Sequence, residues 1–257
     1  MFSRLTRLRL LGTGRFTAAR LLYYKGVQIA DREKPGSIKA IEPLRGIART
    51  HRLAFVHGES QDTVMAASTE LPSSLAQAQL LSMAAAPSGD GERALRNALQ
   101  RLEPEGAARA AERGRVMMDL GDWYRIAGNG QRALSSWRDA WQQLTIAGDT
   151  SELAKPAAVI YRAPQMAVSQ RREDPDEFSV QEVQLRVYIA ADGDVREATV
   201  ANPAPEREAA ERAVLSAVRR AIWRPAFAGG LPVAATDFTF REQVYVRRPG
   251  EEPAASR

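Results

Sequence analysis

The chain contains no cysteine. That excludes disulfides, thiolate metal sites and cysteine nucleophiles, and it leaves the compartment open. Histidine is almost missing too. His51 and His57 are the only two, and their spacing does not put them on one helical face, so no paired-histidine metal site is expected. No run of about eighteen consecutive apolar residues occurs, so no spanning helix is expected. The opening MFSRLTRLRLLGTGRF scatters arginines through its leucines and lacks the apolar core of a secretory signal. Lysine is confined to Lys25, Lys34, Lys39 and Lys155, so arginine carries nearly all of the cationic charge behind a net charge of +5. Those arginines alternate with Glu and Asp. A nucleic-acid surface needs a clustered stripe or a recognisable module, and neither is present.

What remains is a globular composition. The 257 residues are 44% hydrophobic and 26% charged, enough to bury one large core or two modest ones. Residues 1–148 read as helices, with apolar residues three and four apart and abundant alanine. Breaks fall at Pro35-Gly36, Gly58, Pro87 to Gly91, Pro104-Glu105-Gly106 and Gly128-Asn129-Gly130, the punctuation of helical hairpins. Residues 149–181 carry several prolines and little periodicity and read as a connector, with one short extended piece at 158–161.

From residue 182 the period changes to two. Val183, Leu185, Val187 and Ile189 face one way; Gln184, Arg186 and Tyr188 face the other. Asp192-Gly193 marks a hairpin turn before a return strand at 195–202. Next comes an amphipathic helix with Ala210, Ala213, Val214, Ala217, Val218 and Ala221 on one face and Glu206, Glu208, Arg212 and Arg219 in water. A final strand follows, with Phe238, Phe240, Val244 and Val246 on one side, interrupted by Glu242. Residues 248–257 read as a disordered tail.

The join AIWRPAFAGGLPV sits between that helix and the last strand. Trp223 and Phe227 are expected to cap the core between helix and sheet, and Pro225 to end the helix. Gly229 and Gly230 supply the turn, and Arg224 is expected at the surface. Catalytic chemistry is not legible. GTGRFT at 12–17 lacks the third glycine of a nucleotide loop and follows no strand. Asp192 and Asp194 suit a turn better than a calcium loop, and Asp174 and Asp176 flank Pro175 where they are expected to face water. No nucleophile lies beside a base. The chain is therefore expected not to be an enzyme, with no catalytic, cofactor or metal residue assigned.

Two resemblances emerge from these elements. The stretch VMMDLGDWYRIAGNGQRALSSWRDAW has Leu120-Gly121, Tyr124, Ala133, Trp137 and Ala140 at the spacings of a tetratricopeptide repeat. Met117 and Thr145 depart from it, standing where that family often has Trp and Pro. Ala19, Tyr23 and Gly26 echo a second helix of a repeat, residues 43–55 a first helix, and Ala94 and Ala98 another second helix, whereas residues 60–86 fit poorly. The array opens midway through a repeat, which points to a segment upstream. Residues 182–247 resemble the C-terminal domain of TonB-family proteins, on the alternating run with Asp192-Gly193, the helix ending in Trp223-Arg224-Pro225, then Gly230 and Pro232-Val233 before an aromatic last strand.

The expected architecture is thus α-helical hairpin repeats followed by a small α+β domain with an antiparallel three-stranded sheet and one packed helix. The TonB resemblance implies a non-enzymatic periplasmic protein in outer-membrane transport that binds a receptor segment by adding it as a strand to the last strand's edge. Asp237, Thr239, Arg241, Gln243 and Tyr245 would then lie nearest the partner. A true energy transducer also has a membrane anchor, which these residues do not supply. The tetratricopeptide resemblance implies instead a scaffold gripping a peptide in a helical groove lined by Arg115, Met118, Asp122 and Arg125.

Overall fold

Alanine and glycine decide how the helices meet. The structure is a computed structural model describing residues 16–57, 89–164 and 178–247; the GTGR segment, the poorly fitting 60–86, Asp174, Asp176 and the tail lie outside the described residues. Helix α1 (Phe16–Glu33) packs on α2 (Ile41–His57), α2 on α3 (Gly89–Leu102), α3 on α4 (Ala110–Ile126), and α4 on α5 (Gly130–Ile146). At three of these crossings an aromatic ring lies directly over a glycine: Tyr23 over Gly46, Trp123 over Gly91, and Trp137 over Gly121. A β-carbon at any of the three would collide with the ring. Ala19, Ala98, Ala133 and Ala140 are buried without remainder beside them, and Leu95, Leu102, Val116 and Leu144 fill the gaps. Between α4 and α5, Gly128 takes φ 76°, and the Asn129 side chain accepts from the Arg132 amide at 3.1 Å, capping α5. The hairpin read at 110–146 is therefore a closely packed helical pair.

The chain divides into two compact units, and the helical one includes Phe227–Leu231. This corrects the expectation for Phe227. It does not cap the sheet: it is 1% exposed among the helices, edge-on to Trp137 with ring centroids 6.3 Å apart and stacked on Trp141 at 6.5 Å. Its amide donates to the Leu153 carbonyl at 2.8 Å.

The second unit holds the sheet. Strand β1 (Ala157–Ile160) pairs antiparallel with β4 (Ile222–Arg224), and β2 (Phe178–Ile189) lies between β3 (Val195–Val200) and β7 (Ala235–Arg247). The expected antiparallel three-stranded sheet is present, with helix α6 (Glu208–Arg220) packed on it. Val183, Leu185, Val187 and Ile189 meet Ala210, Val214 and Val218 in its core.

The short extended piece expected at 158–161 is β1. Other boundaries differ from the sequence reading. β2 starts at Phe178, inside the supposed connector. The helix ends at Arg220, where Ala221 turns extended with ψ 149°, so Pro225 terminates nothing. Trp223 and Arg224 instead form β4, and both are buried, at 1% and 6% exposure, so Arg224 is not a surface group. Trp223 packs edge-on against Phe238 and Phe240 at 5.8 and 5.7 Å. Short strands β5 (Ala226–Ala228) and β6 (Leu231–Val233) pair around Gly229 and Gly230, whose φ values of 57° and 80° are what a type I′ turn requires at both central positions.

Candidate binding edge

The three-stranded order β3-β2-β7 leaves two borders, and they are finished differently. β3 is six residues long. Its Ala198 carbonyl accepts from the Arg219 guanidinium at 3.1 Å, so α6 reaches over and occupies a hydrogen-bonding position on that border. Asn202-Pro203-Ala204-Pro205 then ends the strand before a second chain could extend it. β7 is 13 residues long. It pairs with β2 continuously from Phe178↔Arg247 to Val187↔Phe238, with no bulge in that stretch. Among the described residues no strand pairs with its other side. From Phe238 to Arg247 this border is regular, whereas the register shifts between Phe238 and Ala235; a regular border with no paired strand is a template for another strand.

The side chains along β7 alternate as period two dictates. Asp237, Thr239, Arg241 and Gln243 are exposed on the outer face, and Tyr245 continues the same register. Phe238 and Phe240 are half-buried on the core face, and Val244 is buried there. Glu242 interrupts that face and is half-buried. Burial pushes its carboxyl above the ordinary range, against the pull of Tyr161. The Tyr161 hydroxyl is itself buried without a well-formed hydrogen bond. Burial first, and the Glu242 charge second, hold that phenol above its usual value. Tyr161 and Phe240 meet edge-on at 5.0 Å.

The four residues expected to line a helical groove do not form one exposed lining. Met118 is 5% exposed and sits in the helical core. Asp122, 7% exposed, accepts from the Trp137 indole at 3.1 Å and from Arg52 at 3.4 Å. Arg115 pairs with Glu152 at 3.1 Å and lies 3.5 Å from Asp149, and Arg125 is half-buried. Trp137 explains the difference: its ring must lie over Gly121, and its N–H then draws the neighbouring carboxylate inward. The cleft beside these residues, lined by Arg45, Arg49, Arg52, Asp119 and Trp123, has a volume of about 10 Å³. That is the space of about one water, far below the roughly 300 Å³ at which small-molecule sites begin.

Among the described residues, no group of three or more His, Asp or Glu could hold a metal, and no helix is long and apolar enough to cross a membrane. The structure places Asp237, Thr239, Arg241 and Gln243 at exposed positions of one strand. Sequence reasoning missed the Arg219 contact that covers the opposite border, although an arginine in the helix's last turn was visible. No protein-family profile, no curated protein and no solved structure matches the chain.

Proposed function

We propose that this is a binding protein that captures an extended polypeptide segment along β7, with no catalytic role. The observation behind this reading is the asymmetry of the sheet among the described residues: one border short and covered by Arg219, the other 13 residues long with no strand paired to it. Backbone pairing supplies affinity at such an edge, and alternate side chains tune specificity. Asp237, Thr239, Arg241 and Gln243 are the exposed positions that would do so. The resemblance to TonB C-terminal domains supports the same mode, and would make the captured segment part of an outer-membrane receptor and the compartment the periplasm. The alternative, a helical scaffold gripping a peptide in a groove lined by Arg115, Met118, Asp122 and Arg125, is weakened because Met118 and Asp122 are buried.

The test is selection of displayed random peptides on the full chain, followed by hydrogen exchange of the complexes. Strand capture predicts extended peptides that slow exchange along β7. Peptides that protect α4 and α5 and leave β7 unchanged overturn it in favour of the scaffold.

A further inference from the structure

The core face of β7 holds one charged residue among apolar ones. Phe238, Phe240, Glu242 and Val244 share that face along the regular stretch of the strand, where they pair with Val187, Leu185, Val183 and Gln181 of β2. Glu242 is half-buried there. Burial and the Tyr161 phenol are what act on its carboxyl, and among the described residues no arginine, lysine or histidine pairs with it. Two more polar atoms on this face are left over. The Tyr161 hydroxyl and the Gln181 side-chain oxygen are both buried without a well-formed hydrogen bond. Gln181 stands diagonally across the β2–β7 pair from Glu242, on the same face. Three oxygens with acceptor capacity to spare therefore lie near the β7 border.

A strand added to β7 sets one residue beside Phe240 and another beside Glu242, two positions apart in either strand direction. The same strand excludes the water that still reaches Glu242. An apolar residue at that point would leave a carboxylate buried without a counter-charge, which is costly. A lysine or arginine meets the charge, lays its aliphatic stem along the half-buried Phe240 ring and brings donors to the spare oxygens. We infer that the segment captured by β7 carries a lysine or arginine on its core-facing side against Glu242, with an apolar residue two positions away against Phe240. This rests on strand capture at β7 and gives the captured segment its chemistry.

The test uses the full chain and displayed segments in which threonine alternates with a randomised position, selected at neutral pH, with hydrogen exchange locating where each selected segment binds. Segments that slow exchange along β7 are expected to hold Lys or Arg at one randomised position and an apolar residue at the next. Replacing that cation by methionine in the synthetic segment is expected to weaken binding to the wild type about fivefold or more, and to leave binding to Glu242→Gln nearly unchanged. Glu182→Gln removes the same charge from an exposed position on the outer face of β2 and is expected to keep the full cation preference. That separates a seat at Glu242 from general attraction of positive segments.

Segments that slow exchange along β7 without a cation preference overturn this inference and leave strand capture standing. So does a methionine replacement that costs the same in the wild type and in Glu242→Gln, or a preference lost equally in Glu182→Gln. A library that yields no segment protecting β7 overturns both.

Discussion

Gly121 has no room for a methyl group, because the indole of Trp137 lies where a β-carbon would stand. Gly121→Ala is therefore predicted to cost about 1 to 3 kcal/mol in urea unfolding, through overpacking. Gly89, whose β-carbon position is open, gives the matching control: Gly89→Ala is expected to be near neutral. His51 makes a pH prediction. Burial foremost, with Arg20 nearby and against the opposing pull of Asp90, lowers its pKa from 6.5 to about 4. The folded state thus holds the imidazole neutral where the unfolded chain protonates it. Stability is complete above pH 6.5 and declines as pH falls toward 4, by up to about 3 kcal/mol. A plot of Tm against pH is predicted to be flatter in that window for His51→Gln than for the wild type. Glu242 has the opposite sign. Its folded carboxyl lies above the ordinary 4.5, so its ionisation weakens the fold as pH rises through and beyond that value. Glu242→Gln is predicted to raise Tm at neutral pH, with the gain disappearing in acid below pH 4.5.

At the scale of elements, the thirteen-residue stretch AIWRPAFAGGLPV does two jobs. Trp223 belongs to the aromatic cluster with Phe238 and Phe240, and Phe227 to the one with Trp137 and Trp141. Pro225 separates them, and the Gly229-Gly230 turn reverses the chain so that Phe227 forms the leading arm of a tight hairpin. Phe227→Ala is predicted to destabilise the helical unit by about 3 to 5 kcal/mol, the cost of an emptied ring site. Circular dichroism at the helical band against chemical denaturant checks this: the helical transition is expected to move to lower denaturant. An unchanged transition would mean the ring is not held there.

For the whole molecule, what could be read in advance follows physical locality. Helices announce themselves by residues three and four apart and strands by alternation, so the hairpin of α4 and α5, the Asp192-Gly193 turn and the β2-β3-α6-β7 order were all legible. The β1–β4 ladder was not. Its strands are four and three residues long, too short for a period, and they pair Ala157 with Arg224 across the whole domain. Phe227 was misplaced because sequence neighbourhood favours grouping it with Trp223, and only the fold assigns it elsewhere. Asp122 is expected in the groove because the repeat pattern places it there; the Trp137 N–H that it accepts from lies fifteen positions on. The border of β7 was legible as alternating polar residues, but its being open depends on which strands pair with β2, a non-local fact.

Amide exchange along β7, resolved residue by residue in dilute full-length protein, addresses that border directly. Amides pointing toward β2 are predicted to exchange slowly and their alternate neighbours, on the free side, at close to solvent rates. Uniform slow exchange from 236 to 244 at concentrations where the chain is monomeric would mean the border is already covered, and would contradict the account.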